Sequence, residues 1–140
     1  MDRAGNRSER ADGPAFRLLL ASEASAAIIY RGTWKASAST SYMGGKARYT
    51  KSAGARATYS FTGRSVSWVT ATGPTRGWAE VWVDGTFRAT IRLYASTTTT
   101  RKAMYTRTWA APGQHTIQVR VLGSPSSHPR VDVDSFVVIR

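Results

Sequence analysis

The stretch Gly77–Tyr94, G-W-A-E-V-W-V-D-G-T-F-R-A-T-I-R-L-Y, constrains the fold more than any other part of this 140-residue chain. Apolar and other residues alternate at period two on both sides of Asp84-Gly85, which is the pattern of two half-buried strands joined by a tight turn. A two-residue loop in plain register would set Val81 opposite Arg88 and put charge on the apolar face. A three-residue loop, Asp84-Gly85-Thr86 with a bulge, pairs Val83 with Phe87, Val81 with Ala89 and Ala79 with Ile91. A slip of one residue turns every side chain over, so the second register is expected. It collects Ala79, Val81, Val83, Phe87, Ala89, Ile91 and Leu93 on one face, and Trp78, Glu80, Trp82, Arg88, Thr90, Arg92 and Tyr94 on the other.

After Ala27 the same grammar repeats. Short strands are expected at Ile28–Tyr30, Ala47–Lys51, Arg56–Phe61, Val66–Thr70, Trp78–Val83, Phe87–Leu93, Lys102–Trp109, His115–Leu122 and Val131–Ile139. Breakers separate them: Gly44-Gly45, Gly54, Gly63, Gly73-Pro74, Asp84-Gly85, Pro112-Gly113 and the run from Gly123 to Pro129. Closely spaced strands with turn signals between them predict an all-β, two-sheet antiparallel β-sandwich of jelly-roll type. Parity predicts a core of Ala57, Tyr59, Phe61, Val66, Trp68, Val81, Val83, Phe87, Ile91, Leu93, Ile117, Val119, Val121, Val131, Val133 and Val137. Each large side chain contributes about 1.5–3 kcal/mol when buried, which suffices without metal or disulfide. Trp34 and Trp109 are read as packing residues closing the sandwich. Residues 1–13 are polar and lack aromatics, so they read as a disordered tail or linker before a single domain at 14–140. Ala15–Leu20 reads as an edge strand and Glu23–Ala27 as a short helical turn.

Composition narrows the function classes. The chain has no cysteine, which removes disulfides and thiolate metal sites. It has no apolar run long enough for a membrane span, and Leu18-Leu19-Leu20 is too short for a signal peptide's apolar region. The expectation is an intracellular protein or a piece of a longer exported one. The formal net charge is +12, which attracts polyanions. The basic residues are mostly arginine, spread singly along the strands as on solvated outer faces. No nucleophile–base constellation, P-loop or zinc spacing appears. His115 shares parity with Ile117 and reads as a half-buried, hydrogen-bonded histidine, while His128 reads as an exposed loop residue. Asp132 and Asp134 are about 7 Å apart on one strand, a separation seen in paired glycosidase carboxylates. Such pairs, however, flank a bond from opposite walls of a cleft, so no enzyme is expected.

Several motifs then occur in fixed order: Y-R-G-T-W (30–34), Y-x-G-G-x-x-R-Y (42–49), A-x-A-x-Y-x-F-T-G (55–63) and G-P-T-R-G-x-A-x-V-x-V-D-G (73–85). L-Y-A-S (93–96), G-x-H-T-I (113–117) and P-R-V-D-V-D-x-F-V-V (129–138) follow. Together, over residues 26–140, they resemble the galactose-binding-like β-sandwich modules of secreted actinobacterial-type proteins, which are related to carbohydrate-binding modules. The resemblance implies a secreted or cell-surface setting and a non-catalytic, lectin-like accessory role. It also implies a structural calcium, with Asp134 at the place of the last-strand aspartate. The N-terminal acidic pair of such sites is reduced here to Glu23, so Asp132 and Asp134 are expected instead to bond loop backbone or pair with arginines such as Arg130.

The expected ligand surface is the Trp78, Glu80, Trp82, Arg88, Arg92, Tyr94 face, supplemented by the loop residues Tyr42 and Arg76. Flat indoles stack on sugar rings, and Trp78 and Trp82 lie roughly 13 Å apart along an extended strand. The competing reading is that arginine and tryptophan cover each other, an interaction contributing about 0.5–2 kcal/mol. The leading expectation is a module that binds polysaccharide, with acidic glycans favoured by the charge. The alternatives are an assembly face for another copy or a neighbouring domain, and a polyanion or nucleic-acid face.

Overall fold

The computed structural model describes residues 18–123 and 128–140, so the tail expected over 1–13 and the start of the expected edge strand lie outside the described residues. Ten strands follow in chain order: β1 (Leu18–Ser22), β2 (Ile28–Arg31), β3 (Lys35–Ala38), β4 (Lys46–Thr50), β5 (Arg56–Thr72), β6 (Trp78–Val83), β7 (Thr86–Arg92), β8 (Thr99–Gly123), β9 (Val131–Val133) and β10 (Ser135–Ile139). A 3₁₀ turn at Met43–Gly45 precedes β4. Glu23–Ala27 forms hydrogen-bonded turns rather than a helix. β3, Lys-Ala-Ser-Ala, has only small alanines at its apolar positions and gives little sequence signal for a strand.

The expected pairs Arg56–Phe61 with Val66–Thr70, and Lys102–Trp109 with His115–Leu122, are instead two unbroken strands of 17 and 25 residues. They run antiparallel along their whole length, and the register jumps from Gly63–Gly113 to Ser65–Thr108. That bulge turns the corner of the sandwich. β2 pairs with residues 56–59 of β5 and β10 pairs with residues 65–69, on the same side of β5. The seven-stranded sheet β1-β10-β5-β8-β6-β7, with β2 on β5, is therefore two half-sheets sharing their two long strands. The halves face each other, because Tyr59 from one stacks on Phe136 from the other at 5.0 Å and 14°. A small sheet β3-β4-β9 completes the second layer. The chain is an all-β antiparallel sandwich, as its strand grammar predicts.

The core holds Ala57, Tyr59, Phe61, Val66, Trp68, Val81, Val83, Leu93, Ile117, Val119, Val121, Val131 and Val133, all expected. Trp34, Trp109 and Ile91 pack against it, half-buried. Two core expectations fail, each for a reason of register. The strand expected at Val131–Ile139 breaks at Asp134, where the chain leaves the small sheet and enters the large one. Parity shifts by one at that crossing, so Phe136 and Val138 fill the core in place of Val137.

The second failure is at the hairpin. Asp84 and Gly85 both have positive φ, 51° and 79°, the conformation of the two-residue turn whose twist suits paired strands. Val83 pairs with Thr86 and Trp82 with Phe87, then a bulge at Arg88 restores Val81–Ala89 and Ala79–Ile91. The bulge lies one step beyond the turn rather than within a three-residue loop. Phe87 consequently leaves the core, is 45% exposed, and meets Trp82 edge-on at 5.8 Å.

At the corner, a side chain on Gly63 would place its Cβ 2.5 Å from Val138 Cγ1 and 2.8 Å from the Ile139 carbonyl oxygen. The second contact is with backbone and cannot move aside cheaply. Gly63→Val is expected to destabilise the fold by about 1–3 kcal/mol or more, read as a lowered urea midpoint. An unchanged midpoint would mean that the corner is loosely packed.

Candidate functional site

The face opposite the core on β2, the first half of β5, the second half of β8, β6 and β7 is built from cross-strand rows. One row reads Ile29–Thr58–Gln118–Trp82–Phe87 and the next reads Arg31–Arg56–Arg120–Glu80–Thr90. Trp78 and Arg92 are paired beyond them, and Leu122 is exposed nearby. The expected sidedness of β6 holds. Val81 and Val83 are buried, while Trp78 is 38% exposed and Trp82 and Glu80 are half-buried.

The side chains of these rows hold one another. The Trp82 indole N–H donates to Glu80 Oε1 at 3.1 Å, and the Arg120 guanidinium lies 3.8 Å from the centre of the Trp82 ring. Arg120 also donates to Gln118, whose amide donates to Thr58 Oγ1 at 2.9 Å. Trp82 is therefore largely covered by neighbours. Trp78 is more open: Arg92 sits between two rings, 5.9 Å from Trp78 and 5.4 Å from Tyr94. Tyr94 meets His128 at 4.6 Å, and His128 Nδ1 lies 3.1 Å from the Arg76 carbonyl oxygen. His128 is thus half-buried against Tyr94 rather than exposed, and residues 124–127 lie outside the described residues. Arg88, on the bulge, is exposed. Sequence reasoning missed Arg31, Arg56, Thr58, Gln118 and Arg120. Their outward parity was legible, but which strands lie side by side was not.

Tyr42 and Arg76, expected as accessible loop contacts, are both buried, at 6% each. They serve Asp132, which is fully buried. Arg76 Nη2 donates to Asp132 Oδ2 at 3.0 Å, and Arg130 Nε donates to Oδ1 at 2.9 Å. Tyr42 Oη lies 3.4 Å from Oδ2. Burial would make the Arg130 guanidinium easier to deprotonate, yet its bonds to Asp132 hold it above the ordinary arginine range. Removing one partner of such a buried cluster costs about 3–5 kcal/mol, so these residues fix the junction of β9, β4 and the Gly73–Gly77 turn.

Asp134 fares differently. Its Oδ2 accepts the Met43 amide at 3.0 Å, as expected for a loop-capping carboxylate, but its buried Oδ1 has no hydrogen-bond partner. Burial pushes its pKa above the ordinary carboxylate value, against the Met43 amide and Arg101. That free oxygen is the feature closest to a calcium site. The rest of the donor set falls short of the six to eight oxygens calcium requires. Both Asp132 oxygens are taken by guanidinium groups, and Glu23 is the remaining buried carboxylate nearby. The adjacent carbonyls of Thr40, Ser41 and Tyr42 already accept from Arg101. Among the described residues no group of three or more His, Cys, Asp or Glu could hold a metal.

At the far end of the sandwich, an open cleft of about 550 Å³ is lined by Phe61, Asp84, Gln114, His115, Thr116 and Arg140, among others. His115 is half-buried, as expected: Nδ1 lies 2.7 Å from Asp84 Oδ2, and the ring stacks on Trp109 at 3.7 Å and 8°. Partial burial would raise the Asp84 pKa, but the Thr116 amide and His115 outweigh it and hold the carboxyl below its ordinary value.

No family model matches the chain. It is 29% identical over 111 residues to an A type blood N-acetyl-alpha-D-galactosamine deacetylase of Flavonifractor plautii, covering 79% of this chain and 14% of that protein. It is 40% identical over 65 residues to an A type blood alpha-D-galactosamine galactosaminidase of the same organism, covering 46% of this chain and 6% of that one. The chain thus spans a small fraction of either relative. Among solved structures it resembles the CBM36-1 domain of a multidomain xylanase from the hindgut metagenome of Trinervitermes trinervoides. The TM-score is 0.57 and the identity 14%, covering 89% of this chain and 97% of that one. A family two carbohydrate esterase from Cellvibrio japonicus gives a TM-score of 0.63 at 12% identity, covering 89% and 34%. These likenesses are of fold: the sandwich is one shared with a carbohydrate-binding module and with carbohydrate-active enzymes.

The donor count at Asp134 predicts that the thermal midpoint is the same in millimolar calcium and in a chelator. A clear upward shift with calcium would mean that Asp134 and Glu23 carry the ion after all.

Proposed function

We propose that this chain is a non-catalytic, galactose-binding-like carbohydrate-binding module, serving as an accessory domain of a longer exported or cell-surface protein. The observation that carries the reading is the outer face of β6 and β7. An open indole, Trp78, is flanked by Arg92 and Tyr94, beside hydrogen-bonding rows of amide, hydroxyl and guanidinium groups. Flat rings receive the C–H face of a sugar, and the polar rows supply hydroxyl partners. The module-like fold and the two relatives that act on amino sugars support the same direction.

The carboxylates argue for binding rather than catalysis. Glycoside hydrolysis needs two carboxyl groups across a cleft. Among the described residues, Asp132 is neutralised by arginines, Asp134 and Glu23 are buried, Asp84 holds His115, and Glu80 holds Trp82.

Retention on a panel of insoluble and immobilised polysaccharides tests the proposal. The chain is expected to be retained by at least one glycan, with Trp78→Ala weakening retention roughly tenfold, as truncation of an interfacial aromatic does. Uniform lack of retention, with wild type and variant alike, would defeat it. A concentration-dependent oligomer in light scattering that disappears in Trp82→Ala would assign the face to assembly instead.

A further inference from the structure

The row Arg31–Arg56–Arg120 sets three guanidinium groups directly opposite one another on three adjacent strands. Neighbouring strands lie about 4.8 Å apart, so the outer two Cα atoms are on the order of 10 Å apart. Like charges in that position destabilise a sheet. The structure shows how one of the three is accommodated: Arg120 rests on Trp82, bonds Gln118, and pairs in register with Glu80. Arg31 and Arg56 are exposed and make no ion pair among the described residues. Arg92 and Arg88 add positive charge on β7, and Glu80 is the only acidic residue in these rows, its carboxylate already bonded to Trp82. A row of this kind, repulsive in the free protein, becomes favourable once anions lie along it.

We propose that this row makes the face selective for polysaccharides that carry an anionic group on successive sugars. The inference rests on the carbohydrate reading above and adds the charge class of the ligand. Trp78 supplies the ring contact, while Arg31 and Arg56, with their planar forks, bind carboxylate or sulfate oxygens in pairs. Arg120 is a positioning residue as well as a charge, since it fixes the Trp82 ring.

The test uses the whole chain and matched polymer pairs: polygalacturonate against its methyl ester, and dextran sulfate against dextran. The expected result is that at least one anionic polymer binds about tenfold or more tightly than its neutral partner. Arg31→Gln/Arg56→Gln should abolish that preference while leaving weak binding to the neutral form. The thermal midpoint of Arg56→Gln should rise, because a repulsive neighbour is removed; a structural role for Arg56 would lower it and overturn the proposal. Equal binding of both partners of each pair would overturn the charge selectivity while leaving the sugar-binding face intact. Retention by none of these polymers nor by any glycan of the wider panel would remove the carbohydrate reading itself. Tighter binding to duplex DNA than to any polysaccharide, with steep loss as salt rises, would overturn the proposal in favour of nucleic acid.

Discussion

The backbone contact at Gly63 is the constraint from which the rest of the architecture follows. Two strands of 17 and 25 residues stay paired while their two halves face each other across one core, so the sheet they form bends back on itself. Gly63 lets β5 pass against Val138 and Ile139 while the extra residues of β8 are taken up opposite it. The bend brings Tyr59 onto Phe136 and gives the sheet an inside and an outside. Every outward residue discussed above is outward because of that fold-over. Were the long strands straight, the rows of arginine and tryptophan would have no defined back face of valines to hold them flat.

A second constraint acts at the opposite edge. Asp132 gathers Arg76 and Arg130 inside the protein, and Asp134, two residues on, caps the Met43 amide. Between them the chain changes sheets. The charges that elsewhere face solvent are here consumed in fixing the junction, and that is why Tyr42 and Arg76 do not present themselves to a ligand. The same residue type thus does two jobs: Arg76 and Arg130 neutralise a carboxylate, and Arg31, Arg56 and Arg120 lie side by side on the outer face. Net charge in the sequence cannot tell these populations apart, whereas their partners do.

The sandwich, most of its core and the sidedness of β6 were legible because alternation at period two is a local signal. Ala79, Val81 and Val83 turned inward as their spacing required. What escaped the sequence depended on neighbours far along the chain. The hairpin turn was placed one residue off, since either position of the bulge satisfies the alternation from Val81 backwards, and only the backbone at Asp84 and Gly85 decides between them. Parity alone points Val137 inward, because nothing local marks Asp134 as a crossing between sheets. The guanidinium row was invisible, since Arg31, Arg56 and Arg120 come from three separate strands that the sequence does not place side by side.

The proposed ligand surface is the outer face of β2, β5, β8, β6 and β7. Nuclear magnetic resonance of the ¹⁵N-labelled chain during titration with an acidic oligosaccharide tests it directly, because indole and guanidinium N–H signals report each side chain separately. The account predicts that the largest shifts fall on the Trp78 indole and on the Nε–H groups of Arg31, Arg56 and Arg92, with the His115–Asp84 cleft and the Arg76–Asp132 cluster unmoved. Shifts concentrated instead around His115, Asp84 and Thr116 would place the binding site at the end of the sandwich and contradict it.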